Sequence, residues 1–196
     1  AARQLLAGKG LSLPYDPSFP PMTHWPPLFP LALAGMGVTG LDPFESARLL
    51  NVLLYGINAF LIGALLKNYT NSIKLAGIGT FLMLSSRATL ELHSYANSEP
   101  LFIVIGFPSL MFLVEYLKEE NNQSLFFLPI LGAALACLDR YVGVSLVLTG
   151  SFSILFLSQN PAAERLKKSF LFAVLGILPL ALWFFRNFLS AQTVVD

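Results

Sequence analysis

Apolar residues in this chain come in blocks, not in stripes. Residues 44–66, 73–92, 100–117 and 169–188 are largely apolar runs whose few charged residues lie near their ends. A helix needs roughly 20 apolar residues to cross a hydrocarbon layer about 30 Å thick, and these four runs have about that length. Two further runs, 125–138 and 142–157, are shorter. Residues 31–39 are too short to span and are expected to lie in the interface or to re-enter. In lipid each segment must satisfy its own backbone polar groups, which predicts helices. The alternating ten-residue pattern of a membrane barrel is not visible. The pattern therefore predicts an all-α, polytopic helical membrane bundle of about six transmembrane helices. An outer loop over residues 1–43, carrying a short interfacial helix, should precede the bundle of residues 44–196.

Composition agrees. Hydrophobic residues make up 55% of the chain and charged residues only 12%, about half of the roughly 25% usual in soluble domains. Mean hydropathy is +0.67. The formal net charge of +1 supplies no basic field for nucleic acid. Cys137 is the single cysteine and sits in an apolar run, where it reads as a small core residue. No metal-ligand spacing is present, so no metal and no cofactor is expected. The opening "AARQLLAGKGLSLPYD" has no initiator Met and no signal-like pattern, and the chain is expected to be a fragment with sequence missing before Ala1.

Charge sets an expected orientation. One side holds Lys67, Lys74, Lys118, Arg165, Lys167 and Lys168; the other holds Arg3, Lys9, Arg48, Arg87, Arg140 and Arg186. The counts tie, but the lysines of the first side lie in or beside short connecting loops, which the positive-inside rule places in the cytoplasm. The sequons at Asn68 and Asn122 then fall on the cytoplasmic side and should stay unmodified. The arginines of the outer side sit at helix ends. Guanidinium forks suit phosphate and carboxylate, although each could equally snorkel to headgroups or cap a helix C-terminus.

Three stretches concentrate candidate chemistry. In "ACLDRYVGVSL", Asp139 and Arg140 interrupt an apolar run about 50 Å long as one helix, more than a bilayer. Two short spans turning at this pair, eased by Gly143, would draw it below the outer surface, where ionisable groups must face the bundle or a wet cavity. In "SSRATLELHSYANSEP", Arg87 and Glu91 share a helical face in the less favourable order. There Ser98, Glu99 and Pro100 read as a helix start, with Ser98 as N-cap and Glu99 compensating the dipole. In "LPLALWFFRNFL", Trp183, Phe184 and Phe185 form an interfacial belt before Arg186 and Asn187. Glu45 and Arg48 read as a solvated helix end. The Pro- and Gly-rich residues 11–30, with Tyr15, Asp16, His24 and Trp25, should lie extended across the mouth of the bundle.

"ARQLLAGKGL", "HWPPLFPLALAG", "SARLLNVLLYG", "SEPLF", "LDRYVGVSLVLTG" and "LPLALWFFRNF", in this order, resemble the multi-span lipid-linked glycosyltransferases of the GT-C class, in particular bacterial relatives of protein mannosyltransferases and lipid A aminoarabinose transferases. The resemblance implies a polyprenyl-phosphate-sugar donor, a protein, lipid or glycan acceptor, contact with membrane lipids, and inverting transfer. It implies a multi-pass protein of the bacterial inner membrane or its equivalent, with a non-cytoplasmic active face. Its acidic base is expected upstream of Ala1, and no motif assigns that role to Asp16. Arg140, Arg186, Arg87 and Tyr141 are the expected binders of the lipid phosphate, whose developing charge fixed cations stabilise. His24, Asp139 and Glu99 are expected to orient sugar or acceptor hydroxyls. A transporter or flippase for a lipid-linked substrate, and a non-catalytic membrane remnant, are the competing readings. The first of these lacks a visible internal repeat.

Overall fold

The computed structural model of the chain describes residues 1–13, 20–120 and 122–192. Every named element is helical: α1 (Ala2–Leu6), α2 (Leu28–Gly37), α3 (Pro43–Thr70), α4 (Ile73–Ser85), α5 (Arg87–Ser94), α6 (Glu99–Lys118), α7 (Gln123–Asp139), a 3-10 turn (Tyr141–Gly143), α8 (Val144–Leu157) and α9 (Ala162–Gln192). One isolated antiparallel bridge joins Ser12 and Pro21 and folds the extended loop back on itself.

Local chemistry explains most of the boundaries. Asp42 caps α3 by accepting from the Phe44 N–H at 2.9 Å, with Pro43 in the first turn. That N–H and the Arg3 guanidinium, 2.6 Å away, hold the Asp42 carboxyl below its usual range, against a smaller opposing effect of burial. Asn71 ends α3 in the left-handed region at φ 53, and Ser72 starts α4 by accepting from Leu75 N–H at 3.3 Å. Asn122 caps α7 through the N–H groups of Ser124 and Leu125.

Three helices, α3, α6 and α9, are long and apolar enough to cross a membrane; α2, α4, α7 and α8 are apolar but of only 10–17 residues. The expected continuous span over 73–92 is broken. Ser86 adopts extended backbone (ψ 120) and caps α5 through Thr89 N–H, so α4 keeps 13 residues, roughly 20 Å of helix. The carbonyl of Leu84, next to that break, accepts from the Tyr55 hydroxyl at 2.7 Å. Breaking a helix among apolar neighbours frees carbonyls, and a tyrosine on α3 meets one of them.

The expected turn at Asp139–Arg140 forms. α7 ends at Asp139, Arg140 is extended at φ −148 and ψ 140, and the 3-10 turn leads into α8. A Cβ on Gly143 would overlap the backbone of Ala136 and Cys137, so the turn is closed too tightly for any other residue. Close approach also governs the helix contacts. Gly132 on α7 faces Ser109 on α6, whose hydroxyl donates to the Pro129 carbonyl at 2.9 Å; Gly150 on α8 faces the Phe172 ring on α9. Small residues and hydroxyl groups at helix contacts are the usual means of association in lipid.

The surface is apolar and polar side chains lie inside. Phe60, Phe81, Phe156 and Phe170 are each about two-thirds exposed or more. Ser46, Asn51, Asn58, Ser109, Asp139, Ser151, Ser169 and Asn187 are buried. An apolar exterior this extensive, with three helices of spanning length, describes a membrane protein. Met22 of the extended loop is 2% exposed and belongs to the same buried cluster as Ile130, Cys137, Val147, Phe172, Leu180 and Trp183, so the loop is stitched into the bundle.

Replacing Gly143 by Ala should therefore cost about 1–3 kcal/mol through overpacking against α7. Gly56→Ala, with open space around position 56, should leave stability unchanged or slightly raised. Thermal unfolding in detergent reads the difference, and equal midpoints for both variants would refute the tight turn.

Candidate functional site

The site grows from two helix ends. Ser98 precedes α6 but makes no side-chain cap; its Oγ instead accepts from Arg140 Nη1 at 3.2 Å. Glu99, in the first turn of α6, pairs with the same Nη1 at 2.6 Å, both side chains being about one-third exposed. The turn after α7 and the start of α6 are thus tied through one guanidinium. Asp139, the last residue of α7, is 2% exposed, and neither carboxylate oxygen has a hydrogen-bond partner. A carboxylate is disfavoured at a helix C-terminus and doubly so when buried without donors.

These residues line a hollow of about 540 Å³ together with Met22, Trp25, Pro26, Phe29, Pro30, Asn97 and others. Two anchors hold the loop over it. Arg186 Nη1 donates to the Met22 carbonyl at 3.1 Å and to Asn187 Oδ1 at 3.0 Å, and Asn187 Nδ2 donates to the Thr23 carbonyl at 3.1 Å. The Arg186 guanidinium lies over the Trp183 ring, 4.9 Å from its centre.

The other side of the hollow is positioned from α3. Asn51 Nδ2 donates to the carbonyls of Tyr95 and Asn97. Asn58 Nδ2 donates to His93 Nε2 at 3.0 Å and to the Pro100 carbonyl at 3.2 Å. His93 Nδ1 lies 2.8 Å from the Thr89 carbonyl, which assigns the ring proton to Nδ1 and leaves Nε2 to accept. Two buried amides seven residues apart on one helix face therefore clamp residues 93–100, the segment that delivers Ser98 and Glu99.

Of the residues expected from sequence, the fold brings Arg140, Asp139 and Glu99 together. Arg87 is not brought there. The helix break at Ser86 puts it at the start of α5, where its side chain is 91% exposed and pairs with Glu91 at 2.7 Å. Arg186 borders the loop but is committed to the Met22 carbonyl, so it serves as an anchor. Tyr141 stacks on Phe184 with ring centres 5.4 Å apart and lies outside the hollow's lining. His24 is exposed beside Thr23, also outside the lining, while its neighbour Trp25 forms part of the wall. Asp16 and Tyr15 lie outside the described residues. The shared arginine cluster expected from the sequence thus reduces to one guanidinium, because each of the other two has its own nearer partner.

Sequence reasoning missed Asn51, Asn58, His93 and the wall role of Trp25. The signal for the asparagines was present: two amides at heptad spacing in an otherwise apolar span. Among the described residues no group of three or more His, Cys, Asp or Glu side chains is arranged to hold a metal ion. No protein-family model matches the chain, and no curated protein and no solved structure matches it significantly.

Removing the α3 clamp should loosen the hollow. Asn51→Leu leaves the Tyr95 and Asn97 carbonyls without that donor and should cost about 1–3 kcal/mol. Hydrogen exchange of residues 95–99 should quicken in this variant and not in Arg87→Ala; unchanged exchange would show that the clamp does not position the turn.

Proposed function

We propose that the chain is part of an integral-membrane glycosyltransferase that moves a sugar from a polyprenyl-phosphate donor to a protein, lipid or glycan hydroxyl. The observation that carries this reading is the hollow itself. Ionisable groups are drawn to one end of an apolar bundle, under a loop anchored across it, where an apolar donor can arrive laterally from the bilayer. The resemblance of the ordered sequence segments supplies the reaction class.

In this reading α3, α6 and α9 are joined by α7, α8 and the broken α4–α5 pair as six crossings, and α2 lies in the interface. The lysine-bearing loops face the cytoplasm, and the hollow opens on the opposite face. The acceptor hydroxyl attacks the anomeric carbon as the bond to the phosphate oxygen breaks. The hydroxyl proton passes to a general base, a role that no motif assigns to a residue of this chain. Arg140 stabilises the departing phosphate. Its Nη1 is held by Glu99 and Ser98, and of a guanidinium's five N–H donors the rest are free to meet phosphate oxygens. Glu99 fixes the direction of the fork, so the cation needs little reorganisation when charge develops.

Arg140→Ala should lower turnover about 10²- to 10³-fold with membrane insertion intact. Arg87→Ala should match wild type, because that side chain points away. Assay with radiolabelled undecaprenyl- or dolichyl-phosphate sugars checks both; normal turnover in Arg140→Ala would remove Arg140 from the site. Sidedness has its own test. Cys137 is fully buried, so single cysteines introduced next to Lys118 and Lys167, and next to Asp16 and Tyr95, can be labelled against a silent background. The first two should react only from the cytoplasm and the last two only from outside. The reverse pattern would defeat the proposed active face.

A further inference from the structure

The outside of the bundle carries a furrow between α3 and α4. The two helices pack closely at Gly63, where an added Cβ would come within 2.7 Å of Thr80 Oγ1. Beside that contact they leave a groove of about 690 Å³, lined by Ala64, Ala76 and Gly77 and by the rings of Phe60 and Phe81. Both rings are exposed, and a Cβ on Gly77 would meet open space. The lining has two polar side chains, Thr80 and Lys67. The Thr80 hydroxyl donates to the Ala59 carbonyl at 3.4 Å. The Lys67 ammonium has no hydrogen bond or ion pair among the described residues.

Charge sets this groove apart from the rest of the apolar surface. The chain has no Asp or Glu between Glu45 and Glu91, while Lys67 stands in the last turn of α3 and Lys74 near the start of α4. Other lysines of the same side have carboxylates at hand. Lys118 pairs with Glu115 at 2.8 Å, Lys168 stands 3.8 Å from Glu164, and the hollow that Lys167 lines also holds Glu120 and Glu164. A cation at the edge of a lipid-facing groove draws its counter-charge from the surroundings. The length of the groove is equally informative. On α4 it reaches from Ile73 to Leu84, roughly 17 Å of helix, about half of a hydrocarbon layer about 30 Å thick. An apolar helix would fill the furrow and leave Lys67 unanswered. A phospholipid brings one leaflet's depth of apolar chain and a phosphate at its end.

We infer that the α3–α4 groove seats one anionic membrane phospholipid: an acyl chain lies along Gly77 and Ala64 between the two helices, and the headgroup phosphate pairs with Lys67. The methylene stem of Lys67 covers apolar surface and carries the ammonium to headgroup level. Lys74, outside the lining, adds to the local positive field, which favours a headgroup of net negative charge over a zwitterionic one. The groove lies toward the end of α3 remote from Asn51 and shares no lining residue with the hollow. The site therefore depends on neither that hollow nor the transferase reading.

The test places the chain in phosphatidylcholine nanodiscs with a rising fraction of phosphatidylglycerol and counts the retained lipid by native mass spectrometry. Phosphatidylglycerol should be held as a single saturable adduct, in preference to phosphatidylcholine. Lys67→Gln should weaken retention about fivefold, and Lys67→Arg should keep it. Lys118→Gln should match wild type, because Glu115 already answers that charge. Gly77→Leu should remove the adduct by filling the groove while Lys67 stays in place. Its side chain enters open space, so the melting midpoint in detergent should hold; if it falls, the Lys67→Gln and Lys67→Arg pair decides alone. Equal retention of the two lipids, or wild-type retention in Lys67→Gln or in a stably folded Gly77→Leu, overturns the site. A dimer of the chain that excludes phosphatidylglycerol and is lost in Gly77→Leu also overturns it, and gives the groove to a second copy.

Discussion

A polar side chain among apolar helices has no water to turn to, and the architecture of this protein follows from where such groups find partners. Asn51 and Asn58 on α3 are the clearest case. Both are buried, and both spend their amide N–H donors on residues 93–100: Asn51 on the connection between α5 and α6, Asn58 on the end of α5 and the start of α6. Residues 95–98 have little regular structure of their own to satisfy their carbonyls. Without the asparagines, the carbonyls of Tyr95, Asn97 and Pro100 would lose these donors in an apolar setting. With them, the start of α6 is fixed, and Glu99 stands at the right height to meet Arg140. The position of Glu99 is therefore set from a helix that contributes no residue to the hollow's lining.

The two ends of the bundle treat polar groups differently. At the end holding the lysine-bearing loops, the Glu120 carboxylate accepts from the Ser158 hydroxyl, the Gln159 N–H and the Asn160 amide. Lys168 donates to the Glu120 carbonyl, sits 3.8 Å from Glu164 and lies over the Tyr116 ring. That cluster is a lock: it joins the end of α6, the α8–α9 turn and the first turns of α9, and its carboxylate is saturated. At the other end Asp139 is buried and unsaturated, next to a cavity wide enough for a ligand. Stability alone would favour an apolar residue at that helix terminus. The same fold thus saturates one carboxyl group and leaves another, buried, without a partner.

Arginine chemistry shows why proximity to one surface does not make a cluster. Arg87, Arg140 and Arg186 each carry five donors and a long stem, and each settles on the nearest acceptor in its own frame. For Arg87 that is Glu91, one turn on; for Arg186 it is the carbonyl of Met22, far away in sequence; for Arg140 it is Glu99 across the α6–α7 gap. Only the last is a contact between two helix ends that border a cavity. The arginine that anchors the loop still matters to the hollow, because it holds the chain on which Trp25 is mounted.

Helical class, the long apolar spans, the turn at Asp139–Arg140 and the start of α6 at Glu99–Pro100 were all legible in the sequence. Each depends on residues close together in the chain: uninterrupted apolar length, a proline in a first turn, a charge pair cutting a run too long for one crossing. Only the tertiary structure decided that the 73–92 run breaks at Ser86, that Ser98 serves Arg140 instead of its own helix, that Arg87 faces away, and that Asn51, Asn58 and His93 hold the turn between α5 and α6. Those outcomes depend on how each helix is rotated about its axis and which neighbour it meets. One residue turns a side chain by roughly 100°, and in spans apolar on every side no stripe in the sequence reveals that rotation. It is fixed only when buried polar groups from distant segments find one another.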